Sequence, residues 1–330
     1  MAQFESKKLK RIGVFCSGGD APGMNAAVRA VVRTAIYKNL EVIGIENGYT
    51  GFLKESFIPL QLRSVANIIQ RGGTILKAGR CPEFTTERFR KIAHTNILKA
   101  GLDGLVCIGG DGSFRGALSL WNEFSLPVVG IPGTIDNDIH STDLTVGYDT
   151  ALNTAVEAID RIRDTAASHD RLFIVEVMGH MSGWLALNVG LAGGAEEVFI
   201  PEVGSDIDKV IKSIERGQAR GKSSSILVTA EGQKPGRAYD LAEAIRKKSG
   251  LEAKVCVLGH IQRGGTPSAQ DRILATRLGA AAVDVLLQGH CNVMVGTLNG
   301  SLVRVDLDKA TQKKPFDALE LLDLLRILSH

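Results

Sequence analysis

Nowhere in its 330 residues does the chain hold an uninterrupted apolar stretch of membrane-spanning length, and its first residues carry no apolar block behind their positive charges. Both absences argue against a membrane span or a secretory leader, so the cytoplasm is the expected compartment. The five cysteines, at 16, 81, 107, 256 and 291, have no paired spacing, and three sit in apolar, strand-like runs. They read as reduced core or site residues rather than a disulfide framework. A net charge of +3 offers no surplus for nucleic acid or a membrane surface. The one basic run, Lys7, Lys8, Lys10 and Arg11, stands directly before apolar Ile12 to Phe15 and reads as a solvated tail. No low-complexity linker divides the chain and no fixed period repeats along it. A dinucleotide fingerprint is absent. Gly217 to Ser223 is one residue short of a P-loop and follows a helix instead of a strand.

What is present is an ordinary globular composition, 44% apolar and 23% charged, in a chain long enough for one large or two ordinary domains. Strand-like runs at 11–16, 41–45, 104–108, 127–131, 171–177, 223–230 and 253–258 alternate with helix-length segments at 25–38, 85–100, 149–168, 206–220 and 269–288. Alternation of this kind predicts an α/β protein with mainly parallel sheets, here as two lobes with substrate in the cleft between them. In the helix from Asp149 to Thr165, apolar Leu152, Val156 and Ile159 predict a face turned to the core.

Two loops carry the chemistry. Ile108-Gly109-Gly110-Asp111-Gly112-Ser113 follows a buried strand and precedes a helix, the geometry of a phosphate site. Its glycines let backbone amides approach an anion, and Asp111 can face phosphate only across a cation, which implies magnesium. Pro132-Gly133-Thr134-Ile135-Asp136-Asn137-Asp138 leaves the next strand at the same sheet edge, where open sheets bind ligands. In an extended loop Asp136 and Asp138 would point the same way, and one is a candidate general base. Ser17 to Asn25 opens the first long helix as a second glycine-rich anion site. Arg71, Arg80, Arg171, His260 and Arg263 lie in or beside glycine-flanked loops, where arginine suits phosphate.

These motifs resemble, in type, order and approximate spacing, those of bacterial-type 6-phosphofructokinases. The resemblance covers nearly the whole chain and rests on Ser17 to Asn25, Gly109 to Ser113, Pro132 to Asp138, Val175 to Gly179 and Leu258 to Gly265. It implies doubly wound lobes: a larger ATP-binding one at 1–146 plus about 261–311, and a smaller sugar-phosphate one at about 147–260 plus 312–330. It also implies transfer of the ATP γ-phosphoryl group to the 1-hydroxyl of fructose 6-phosphate, with magnesium, in glycolysis.

Under the resemblance Asp136 is the base, Asp111 holds magnesium, Asp138 supports the metal environment and Arg80 helps neutralise the triphosphate. Thr134 and Arg171 complete the catalytic set. ATP falls to Gly19, Arg80, Cys81, Gly110, Asp111, Gly112 and Ser113. Sugar phosphate falls to Thr134, Ile135, Asp136, Met178, Gly179, His180, Glu231, His260, Ile261, Gln262 and Arg263, with Arg171 and Lys254 reaching in from a neighbouring subunit of a homotetramer. Glycine at 112 and 133, where pyrophosphate-dependent relatives typically carry Asp and Lys, favours ATP as donor.

Several positions depart from the family pattern. His180 stands where an arginine usually follows Met-Gly, which implies weaker and pH-dependent turnover. Lys254 also replaces an arginine, keeping charge and losing the fork. An effector site for ADP or phosphoenolpyruvate is partly kept in Arg29, Arg33, Arg163, Glu196, Arg220 and Lys222, but Leu62 replaces an arginine and Asn67 an aspartate. The alternatives are a pyrophosphate-dependent enzyme, or a catalytically weak regulatory paralogue that binds sugar phosphate or nucleotide.

Overall fold

Strands buried at every position, such as Gly104–Gly109, Val128–Pro132 and Ser225–Ala230, need cover on both faces, and that demand organises the computed structural model. It describes residues 2–3, 9–168, 171–204, 206–222 and 224–329. Lys7 and Lys8 of the basic run, and Ser223 of the rejected P-loop, lie outside the described residues.

The chain divides into two units. The first comprises Met1–Thr134, Ile139–Asp149 and Arg263–Lys314; the second comprises Ile135–Asp138, Thr150–Gln262 and Pro315–His330. The expected lobe boundaries place 135–138 in the larger lobe. Here those four residues, with Asp136 among them, belong to the second unit.

The first unit is built on a seven-stranded sheet in the order Ser301–Asp306, Val293–Leu298, Val128–Pro132, Gly104–Gly109, Arg11–Cys16, Glu41–Ile45, Phe57–Leu60. The five inner strands run parallel and the two edge strands antiparallel. Because side chains alternate along a strand, each face has its own core. Phe15, Leu105, Cys107 and Val128 share one cluster with Phe114, Ala117 and Leu120 of the helix Asp111–Phe124. Within it Phe15 meets Tyr49 and Phe52 edge-on at 5.1 and 5.0 Å, and Tyr49 stacks on Phe84 at 4.1 Å. The helices Met24–Tyr37 and Ala269–Leu287 pack closely on each other. A Cβ on Gly279 would stand 2.6 Å from that of Ala30, so only glycine permits this approach.

The second unit holds an all-parallel sheet in the order Ala253–Val257, Leu172–Val177, Ser225–Ala230, Glu197–Phe199. Ile207–Ala219 and Arg237–Ser249 bring Val210, Ile214, Leu241 and Ile245 onto its core. The helix Tyr148–Ala167 is turned slightly from the expected face: Ala151, Ala155 and Ile159 are buried, while Leu152 and Val156 are half-buried.

Candidate active site

In the first unit three turns converge. Ser17 N donates to Ile108 O at 2.9 Å and Gly18 N to Gly79 O at 3.2 Å, which brings the Gly18-Gly19 turn between the strand end at Gly109 and the segment that carries Arg80 and Cys81. Gly18 has φ +84°, a left-handed conformation suited to glycine. A Cβ at Gly109 would stand 2.6 Å from Ser17 O and 2.5 Å from Ser113 Oγ, so this turn closes only without a side chain. Gly112 is different. A Cβ there meets nothing within 4 Å and faces open space.

Gly110, the N-cap of the helix Asp111–Phe124, has no side chain to cap it, and its carbonyl accepts from Ser113 N and Phe114 N. Asp111 accepts from Gly112 N at 2.6 Å and pairs with Arg115 at 2.5 Å, both side chains being well exposed. Arg80 is exposed as well. Arg263 donates to Asp20 O at 3.0 Å, and its guanidinium lies against Gly19. Thr134 O accepts from Thr145 Oγ1 at 2.6 Å, and Thr134 Cβ lies 3.8 Å from where a Cβ on Gly110 would be.

Asn25 is nearly fully buried and holds the neighbouring loop through three bonds, donating to Arg71 O and Gly72 O and accepting from Ile75 N. Beneath the glycine turns lie two thiols. Burial pushes Cys16 up to about 12, a hydrogen bond from Thr74 opposing it only in part, and burial likewise raises Cys107. Both are free, buried thiols, as the lack of paired spacing implied.

In the second unit several of the expected sugar-phosphate residues are tied together by hydrogen bonds. Met178 N donates to Gln262 Oε1 at 2.8 Å, and His180 N to Glu231 Oε1 at 3.2 Å. Gly179 has φ +131°, and a Cβ there would lie 2.7 Å from Ser182 O. Ser182 N donates back to Gly179 O at 2.8 Å, and Ser182 Oγ donates to the carbonyl of Asp136, also at 2.8 Å. The segment 135–138 is not extended as expected: Asn137 is left-handed, φ +49°. Residue burial still alternates, with Ile135 and Asn137 buried and Asp136 and Asp138 half-buried, and the Oδ1 atom of Asp136 is itself buried.

Gln262 is fully buried, with its amide spent on Met178 N and Ala151 O. Its side chain therefore shapes the turn, and His260, Ile261 and Arg263 around it keep exposed atoms. Arg171 and Lys254 are exposed at the opposite ends of their strands from Met178 and His260. The six residues of the strand Leu172–Val177 separate Arg171 from Met178, a span of about 20 Å.

The expected effector residues fall in both units. Arg29 and Arg33 lie on the helix Met24–Tyr37 of the first. In the second, Arg163 donates to Gly193 O and Gly194 O, and the buried Glu196 accepts from Ile226 N and pairs with Lys222 at 2.5 Å. Arg220 is exposed. A cavity of about 850 Å³ lies beside Glu196, lined also by Lys209, Arg216 and Arg326, and includes none of the expected nucleotide or sugar-phosphate residues.

Sequence reasoning missed Ser182, Thr145 and Glu176. Glu176 is buried inside the Val175 to Gly179 motif and accepts from Gly236 N and Ala238 N, capping the helix Arg237–Ser249. Ser182 lies three residues past the same motif, and that proximity was its only signal.

A family profile described as Phosphofructokinase matches residues 11–286. The ATP-dependent 6-phosphofructokinase 1 of Thermus thermophilus is 57% identical over 97% of this chain and all of its own length. The ATP-dependent 6-phosphofructokinase of Halothermothrix orenii is 50% identical over the same shares. Among solved structures, the phosphofructokinase of Pichia pastoris aligns with TM-score 0.87 at 37% identity, over 93% of this chain and 36% of that longer one. With its two α/β units, its glycine turns and its ordered motifs, the chain belongs to the phosphofructokinase family.

Proposed function

We infer that the chain is an enzyme that transfers the γ-phosphoryl group of ATP to the 1-hydroxyl of D-fructose 6-phosphate, giving fructose 1,6-bisphosphate and ADP in glycolysis. The observation that carries this reading is the glycine-capped amino end of the helix Asp111–Phe124, met by the Gly18-Gly19 turn and the Arg80 segment, in a chain 57% identical to an ATP-dependent 6-phosphofructokinase. Oriented amides and an arginine suit a triphosphate, and phosphoryl transfer depends mainly on such positioning and charge stabilisation.

Asp136 is the group to take the proton of the 1-hydroxyl. As that oxygen bonds to the γ-phosphorus, the bond from phosphorus to the β,γ-bridging oxygen breaks and ADP leaves. Thr134 and Asp138 flank the base, and Arg80 and Arg263 balance phosphate charge. Magnesium, when bound with ATP, neutralises charge on the phosphate oxygens. Asp111 fits that role as an exposed carboxylate at the helix terminus. Among the described residues no three acidic, histidine or cysteine side chains cluster for a metal, so the phosphates would supply much of the coordination, a common arrangement for magnesium with nucleotides.

ATP rather than pyrophosphate is supported by Gly112, whose missing side chain faces open space that a nucleotide can fill. Gly133 is weaker support, since a Cβ there would also crowd Ile108 and Met24. Met178, Gly179, His180, Glu231 and His260 form the sugar-phosphate grip. Arg171 and Lys254 stand too far from their own Met178 to join it, which supports a site completed by a neighbouring copy in a homotetramer. The paired Glu196 and Lys222 fit a regulatory anion site for ADP or phosphoenolpyruvate. No helix among the described residues is long and apolar enough to cross a membrane, and a cytoplasmic location suits the substrates.

The test is steady-state phosphorylation of fructose 6-phosphate with magnesium, comparing ATP with pyrophosphate and using Asp136→Ala as control. ATP-dependent turnover that the substitution abolishes is expected. Turnover with pyrophosphate alone, or with neither donor, would overturn the reading.

A further inference from the structure

We infer that Ser182 is a positioning residue for the base: its hydroxyl fixes the Asp136 segment to the turn that grips sugar phosphate, so one rigid loop presents both. The inference rests on the proposed role of Asp136, and the geometry is local to the second unit. Ser182 is 5% exposed and its Oγ donates to Asp136 O at 2.8 Å, across 46 residues of sequence. Its own amide closes on Gly179 O at 2.8 Å, and Gly179 sits between the expected sugar-phosphate residues Met178 and His180.

The turn is itself held from behind. Glu202 Oε1 accepts from Gly183 N at 2.8 Å, and a Cβ on Gly183 would press on Glu202 Oε2 at 2.5 Å and Ile200 Cβ at 2.6 Å. Residues 179–183 therefore have little freedom, and Ser182 passes that rigidity to the backbone of the base. A carboxylate that must meet a hydroxyl proton within hydrogen-bond distance loses rate when its backbone drifts, even if substrate still binds.

The experiment compares Ser182→Thr with Ser182→Val, which have nearly the same shape and differ in the hydroxyl. With full-length protein we expect the Val variant to lose about tenfold in kcat, the scale of one hydrogen bond. Its Kd for fructose 6-phosphate should stay within twofold, and the Thr variant should recover most of the rate. Amide hydrogen exchange at residues 135–138, measured without substrate, should be faster in Val than in Thr. Equal kcat in the two variants, equal exchange, or a loss in Kd matching the loss in kcat would overturn the inference. The exchange readout needs no turnover, so it decides the role of Ser182 even if the donor assay overturns the proposed reaction.

Discussion

Around the helix Asp111–Phe124 the first unit presents backbone amides, and the fit is made by side chains that are missing: Gly109 touches Ser17 and Ser113, and Gly112 opens to space. Around Gly179 the second unit presents side chains and backbone tied by bonds that cross long stretches of sequence, from Gln262 to Met178, Glu231 to His180 and Ser182 to Asp136. The first site is therefore sensitive to added atoms and the second to lost hydrogen bonds. Sterics set the proposed nucleotide side, and polar networks set the proposed acceptor side.

The largest effect expected from this contrast is at the base. Asp136→Asn keeps the shape and backbone and removes the proton acceptor, so kcat should fall by roughly 10²- to 10⁴-fold with both substrate affinities within about threefold. Stopped-flow turnover and calorimetric binding on one preparation would check it. If affinity falls as far as rate does, Asp136 is holding substrate rather than accepting its proton.

A smaller pair of effects separates the glycines. Gly109→Ala must push against Ser17 O and should lower stability by about 1–3 kcal/mol. Gly112→Ala has room in the first turn of a helix and should be neutral or up to about 1 kcal/mol stabilising. Thermal unfolding of the two decides it, and equal melting temperatures would refute the steric account. The smallest effect is at His180, which sits at φ +50° with its amide on Glu231. Arginine costs somewhat more than histidine at that φ, but the amide bond to Glu231 does not depend on the side chain, so His180→Arg should keep the turn, restore a fixed charge and raise kcat a few-fold. An unchanged kcat in His180→Arg would mean that the position does not touch the transferred group.

Much of the fold was legible in the sequence because its central strands are short apolar runs between turns, as at 104–108 and 127–131. Other elements were hidden for identifiable reasons. Trp184–Ala192 is apolar almost all round, so it has no period to read. Val293–Leu298 and Ser301–Asp306 form a hairpin whose Asn299-Gly300 turn, with φ +51° and +74°, is a strong sequence signal that was overlooked. Of the candidate site, the linear motifs were legible and their cross-links were not. Ser182 meets Asp136 across 46 positions and Asn25 meets Gly72 across 47, distances over which no local pattern carries information. The reading of 136–138 as extended failed because Asn137 takes the left-handed conformation that asparagine tolerates.

The most direct test of the division between a steric nucleotide side and a hydrogen-bonded acceptor side is equilibrium binding to Gly112→Asp. A side chain there enters open space next to the amino end of the helix and brings negative charge toward the expected triphosphate. The account predicts that a non-hydrolysable ATP analogue with magnesium binds at least tenfold more weakly, while fructose 6-phosphate binds within twofold of the unaltered protein. Unchanged nucleotide affinity, or an equal loss for both ligands, would contradict it.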